Sequence, residues 1–185
     1  MKKLFLAILF TLGFMGHLNA QNTTKELNIK ITDLNGKTYK VTGTPEGLKI
    51  SGMEGKVIFL EFFGNHCPPC LASIPHLISL KKKYKDKLKI IAIEVQGDDP
   101  RFPMSLEQLK IFIKRAGINY SVFSIKQNRV FVHYIQTRSQ WGGAIPFLVV
   151  VDTKGEVRMI HEGFLPEETL DNMIQSLIKE KIKKK

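Results

Sequence analysis

Residues 56–70, KVIFLEFFGNHCPPC, restrict the fold of this chain more than any other stretch. The almost unbroken apolar run at 57–63, rich in β-branched and aromatic residues, predicts a strand covered on both faces. Directly behind it, Pro68 suits the first turn of a helix, where a missing N–H costs nothing. The helix continues through residues 67–84, with Leu71, Ile74 and Ile78 on one side and Pro75 expected to kink it. A buried strand thus delivers Cys67 and Cys70, the only two cysteines among 185 residues, to a helix N-terminus.

Two cysteines separated by two residues admit three chemistries. A structural bridge closes so short a loop that it restrains the unfolded chain little. A metal clip needs about four convergent ligands. Of the nearby histidines, His76 lies roughly 240° around the helix from Cys70 and faces elsewhere. Thiol chemistry draws on the position itself. At the N-cap, Cys67 meets the positive end of the helix dipole and free amides, which favour the thiolate that attacks a disulfide. Cys70, one turn on, is shielded and placed to resolve a mixed disulfide. Pro68 and Pro69 carry no N–H, so Cys70 N–H and Leu71 N–H are left to solvate the Cys67 sulfur, and only a moderate lowering of its pKa is expected.

Glu61 is the single charge within the run 57–63. A buried, unpaired carboxylate becomes neutral or finds a partner. A raised pKa suits it to moving a proton to and from Cys70, whereas a glutamate turned out at a strand edge has no such role.

Around this junction the chain alternates strands and helices. Residues 26–41 read as a β-hairpin turning at Asn35-Gly36. A second buried strand at 89–95 makes a parallel crossover with the first. Ser105 and Gln108 form a capping box for a helix that Gly117 closes. Residues 120–125 read as a short strand, and 127–143 as a helical turn and a loop. A second hairpin turns at 153–155, and a last helix follows from about 165. The expected architecture is an α/β mixed sheet flanked by helices, with an N-terminal hairpin and a helical insertion.

The length suits one domain, and no repeat or linker composition divides it. Residues 1–20 form a different unit: Lys2 and Lys3, an apolar run to residue 15, then a polar stretch to Ala20. This reads as a secretory signal peptide, with residues 21–185 as the single domain. The run is short for a membrane span, but Leu18 breaks the small-x-small cleavage pattern, so a retained anchor is the alternative. Either way the expected location is periplasmic or otherwise extracytoplasmic, where disulfides form. The net charge is +11, and the first two lysines with the tail KEKIKKK supply six of these charges. The lysine-rich run at 81–87 caps a helix end and is no basic stripe, so nucleic acid is not an expected partner. The tail can touch an acidic membrane surface weakly.

FLEFFGNHCPPC, Pro75 five residues beyond the second cysteine, and GAIPFLVVVD together make the chain resemble the thioredoxin superfamily, specifically its extracytoplasmic TlpA/ResA-like thiol-disulfide oxidoreductases. The resemblance implies Cys67 as the attacking and Cys70 as the resolving cysteine, Glu61 at the buried-acid position, and Ile145-Pro146 as a cis-proline pair beside them. The backbone at Ile145 is then free to pair with an extended substrate. It also implies a helical insertion before the cis-proline strand, for which residues 98–117 are available. His66 stands where the family commonly has Trp, and its imidazole, if protonated, adds to thiolate stabilisation. Thioredoxin pairs its buried acid with a lysine on the neighbouring strand, which residues 90–95 do not offer. The implied function is reduction of disulfides in exported protein clients, with apocytochrome c as one such client, by a monomer that needs no cofactor and is re-reduced by a membrane thiol electron donor. A dithiol oxidase or isomerase, a thiol peroxidase, and a non-catalytic chaperone or metal-delivery module are the alternatives on the same fold.

Overall fold

A computed structural model describes residues 28–183, so the signal segment lies outside the described residues. The N-terminal hairpin is present as β1 (Asn28–Thr32) and β2 (Thr38–Gly43). Gly36 holds the turn at φ 82°, in the region that favours glycine. A short strand not expected from the sequence, β3 (Leu48–Ile50), completes a small antiparallel sheet in the order β1-β2-β3.

The central sheet has five strands in the order β6-β5-β4-β7-β8. Its middle strand, β4 (Val57–Phe63), runs parallel to β5 (Leu88–Glu94) and antiparallel to β7 (Phe147–Val151). On the outer sides, β6 (Ser121–Ser124) pairs parallel with β5, and β8 (Val157–Glu162) antiparallel with β7. Helices α1 (Pro68–Tyr84), α2 (Leu106–Ala116), α3 (Ile125–Ser139) and α4 (Glu167–Lys183) connect and flank the strands. Among the described residues no helix is long and apolar enough to cross a membrane.

Every residue of β4 is buried because the sheet separates two cores. Ile58, Leu60 and Phe62 enter the one shared with the hairpin and α3. Val57 and Phe59 enter the one under α1 and α4, and Phe63 packs with both cysteines and Ala92. The capping box of Ser105 and Gln108 forms as expected, and Gly117 ends α2 in the left-handed region at φ 66°.

Two expectations are corrected. Residues 127–143 hold most of a 15-residue helix, α3, and not a helical turn with a loop. Its buried residues are Asn128, Phe131, Val132 and Ile135, a helical face whose first position is polar and so hides the pattern. In α1 the buried row is Cys70, Ser73, Ile74, Leu77 and Leu80; Leu71 stands one position off that row and is exposed.

Asn128 shows why a polar residue occupies that place. Its backbone leaves helical geometry at φ −129°, ψ 24°. Its amide nitrogen donates to the Thr32 carbonyl at 3.0 Å and to the Ser124 carbonyl at 2.9 Å, and its Oδ1 accepts from the Thr32 N–H at 2.8 Å. One side chain thereby pins the hairpin to the start of α3. Asn128→Ala leaves these groups unpaired and is expected to cost about 2–4 kcal/mol. Urea unfolding at constant slope checks it, and a loss under about 1 kcal/mol contradicts the pinning role.

Candidate active site

The site is built where β4 hands over to α1. Cys67 is the N-cap of α1, with extended backbone at φ −118°, ψ 99°. Pro68 and Pro69 fill the first two helical positions, so the first amide able to reach the cap is that of Cys70, which donates to Cys67 Sγ at 3.3 Å. The Leu71 N–H, expected to share this task, donates to the Cys67 carbonyl at 3.0 Å, because it makes the first regular bond of the helix. Cys67 and Cys70 are joined in a disulfide. Cys67 is 6% exposed and Cys70 1%, so any partner meets Cys67 first.

The Ile145-Pro146 peptide bond is cis, and the Ile145 carbonyl oxygen lies 3.7 Å from Cys67 Sγ. Trp141 braces this loop from the core. Its ring stacks on Phe147 at 4.6 Å, and its Nε1–H donates to the Ala144 carbonyl at 2.7 Å. On the far side, the Gly163 N–H donates to the Pro146 carbonyl at 2.7 Å. The resemblance placed Ile145 and Pro146 beside the cysteines, and the structure brings them there.

Glu61 is 5% exposed, and strand alternation directs it to the α1 side between Phe59 and Phe63. Its neighbours across the sheet are Ala92 on β5 and Leu148 on β7, neither of them a base. Burial pushes its carboxyl up to about 8, with no hydrogen bond or counter-charge acting against the shift. Ala92 packs in the same cluster as Cys67 and Cys70, which puts Glu61 one strand from the residues around the disulfide. Tyr120 is raised by its own burial and by the nearby Glu61 charge.

His66 is exposed beside Cys67, and its ring stacks on Phe102 with centroids 5.0 Å apart. His76 faces Phe164, with ring centroids 5.3 Å apart. Phe102, Asn65, Gln96 and Phe164 were not singled out from the sequence. Three of them come from loops whose approach to the site depends on tertiary packing, and no local periodicity marks them.

The site is a disulfide pair at a helix N-terminus, with a cis-proline loop against the outer sulfur and the buried Glu61 on β4, the strand that leads into Cys67. The AhpC/TSA family model matches residues 25–160. The thiol-disulfide oxidoreductase ResA of Halalkalibacterium halodurans is 27% identical over 151 residues, covering 80% of this chain and 73% of its own. The protein of the same name from Bacillus thuringiensis strain Al Hakam is 27% identical over 175 residues, covering 92% and 88%. Among solved structures, a thiol:disulfide interchange protein of the thioredoxin family from Chlorobium tepidum TLS superposes with a TM-score of 0.62 at 22% identity, covering 82% of this chain and 93% of its own. That likeness establishes the fold, and the matched residues 25–160 contain the whole site, from Glu61 through the two cysteines to Pro146. The chain belongs to the AhpC/TSA family, as a thiol-disulfide oxidoreductase of thioredoxin-like fold.

Proposed function

We propose that the protein is an extracytoplasmic reductase of disulfides in exported proteins, with Cys67 as the attacking and Cys70 as the resolving cysteine. The observation that carries this reading is the Cys67 sulfur at the N-cap, with one amide to hold it as a thiolate and the Ile145 backbone beside it. A thiolate stabilised this weakly is a good nucleophile and a poor leaving group, which favours giving electrons over taking them. Two relatives bearing the ResA name and the signal-like segment at 1–20 support an exported oxidoreductase.

In the forward cycle the Cys67 thiolate attacks a client disulfide, and the client strand lies along the Ile145 backbone. Cys70 then loses its proton, attacks Cys67 Sγ and releases the client as a dithiol. Glu61 already holds a proton at neutral pH, so it gives that proton up as it takes the one from Cys70. The departing client sulfurs draw one proton through this relay and one from solvent, and a membrane thiol donor restores the Cys70 proton when it reduces the pair again. Apocytochrome c, whose haem-attachment cysteines must be free thiols, is the proposed client. A thiol peroxidase fits less well, because both cysteines of the chain are committed to one pair.

The test is capture of the intermediate. Cys70→Ser is expected to accumulate a mixed disulfide through Cys67 with an oxidised client peptide, and Cys67→Ser is expected to form none. Mass spectrometry of the non-reduced products reads both. Equal capture by the two variants contradicts the assignment.

The Glu61 carboxyl gives a second test. In the unfolded chain it ionises near its ordinary 4.5, and in the fold only near 8. Between these values the folded protein holds the extra proton, so stability falls as pH rises through that window and is level above it. Glu61→Gln removes this slope. Relative to wild type it is expected to gain roughly 3 kcal/mol between pH 4.5 and pH 7. Parallel stability curves for the two proteins across that window contradict the buried, unpaired carboxyl.

A further inference from the structure

The pole opposite the disulfide gathers lysines from elements far apart in sequence. Residues 81–89, at the end of α1 and the start of β5, hold six lysines and one aspartate. β4 and β5 start in register, with Val57 beside Leu88, so Lys56 lies at the same end of the sheet. The antiparallel β7 ends there too, with Val151 beside Ile58, and the turn after it carries Lys154. Lys49 of β3 joins Lys56 and Lys154 around a cavity of about 210 Å³, and Lys81 and Lys89 line a second of the same size with Asn35 and Asn119. Arg158, at the start of β8, binds Glu180 at 2.7 Å, which brings the end of α4 to this pole; residues 179–185 hold five lysines and one glutamate.

Crowding like charges in this way works against the fold. Burial, and then the like charge of Lys89, hold Lys81 below the usual lysine range; Lys56 adds to this and Asp86 opposes it. Lys85, at the C-cap of α1, takes φ 44°, a region that favours glycine, so a lysine stands there against the backbone's preference. Few of the charges are neutralised. Lys83 binds Asp171 at 2.7 Å, while Lys89 and Lys154 lie 3.6 and 3.8 Å from the carboxylates of Asp86 and Glu156. Among the described residues no carboxylate lies within ion-pair distance of Lys49, Lys56, Lys82, Lys85 or Lys87.

At the disulfide end the charges pair off instead: Asp99 binds Arg101 at 2.6 Å, and Asp98 binds Arg129 at 2.8 Å. We propose that the lysine pole docks on a membrane surface of anionic phospholipids and holds Cys67 at the far end of the molecule. Basic residues clustered beside such a surface each add to the attraction, and the repulsion among them is relieved by the opposite charge. The seven residues of β4 span the distance between the two ends, roughly 20 Å at the rise of a strand. A client or a donor dithiol then meets Cys67 clear of the headgroups.

Lipid is favoured over nucleic acid by what the pole lacks. Nucleic-acid surfaces combine basic charge with arginine forks and stacking aromatics. Residues 81–89 contain no arginine, and Arg158 is taken up by Asp152 and Glu180. The one aromatic ring of that run, Tyr84, donates its hydroxyl to Asp171 at 2.7 Å. What remains is a set of ammonium point charges from several elements, spread over one end of the molecule, which suits a field of headgroups. Docking of this kind is independent of which way electrons flow at the disulfide.

The full chain is mixed with vesicles of phosphatidylcholine alone or with about 30% phosphatidylglycerol, and acetylation of each lysine by an N-hydroxysuccinimide ester is read by mass spectrometry. The N-terminal apolar run is present in every sample, so the pattern of protection is read and not the bound fraction. On the anionic vesicles Lys82 and Lys87 are expected to react at least roughly fivefold more slowly than on the neutral ones. Lys110 and Lys126, at the disulfide end, should be unchanged. About 0.5 M sodium chloride should remove the difference, because exposed charges are then screened. In the double variant Lys82→Glu with Lys87→Glu, the protection of Lys49 and Lys85 should fall below about twofold. Equal reactivity on the two vesicles, or slowing spread evenly over all lysines, overturns the docking pole. Undiminished protection of Lys49 and Lys85 in the double variant assigns the contact to the tail alone and overturns it as well. Release of the protection by duplex DNA at matched phosphate overturns the choice of lipid. The Cys70→Ser capture succeeds or fails without moving any of these readings, so failure of the docking pole and failure of the cysteine assignment are told apart.

Discussion

β4 is buried between two cores, and the placement of the site follows from that enclosure. With Ile58, Leu60 and Phe62 on one face and Val57, Phe59 and Phe63 on the other, the strand can neither shift register nor turn over without exposing several large side chains. It therefore delivers Cys67 to a fixed point at the head of α1. The same enclosure takes solvent away from Glu61, and its partners across the sheet, Ala92 and Leu148, supply no counter-charge. One packing arrangement thus sets the position of the nucleophile and keeps the acid protonated to an unusually high pH.

The helix start supplies the second half of the chemistry by leaving amides out. An N-cap side chain is ordinarily served by amides two and three residues on. Here the first of these belongs to Pro69, and Cys70 N–H alone remains for the sulfur. A thiolate held by one amide is stabilised less than one held by two. Since the reduced form is favoured by thiolate stabilisation, the prolines push the couple toward reducing power. The Ile145 carbonyl near the sulfur offers an acceptor and no positive charge, which acts in the same direction.

Much of this was legible in the sequence, because the features concerned are local. The apolar run of β4, the Asn35-Gly36 turn, the Ser105–Gln108 capping box and the proline-led helix each rest on a few adjacent residues. Glu61 stood out because a lone acid in such a run has few places to go. The cis-proline pair came from family resemblance, since nothing local distinguishes Pro146 from the start of an ordinary strand. Helix α3 was hidden by Asn128, a polar residue whose three hydrogen bonds to the hairpin and its own helix start exist only in the folded chain. The same holds for the contacts around His66. Asn65 is adjacent to it in sequence, but Phe102 and Gln96 reach it only through the loop that follows β5.

The midpoint potential of the Cys67/Cys70 couple at pH 7, read by equilibration in dithiothreitol or glutathione buffers with quantified free thiol, separates a reductase from an oxidase. The single amide at the N-cap predicts a value near the roughly −270 mV of thioredoxin. A value near the roughly −120 mV of DsbA would contradict the account, because it requires a strongly stabilised thiolate that the proline-blocked helix start does not provide.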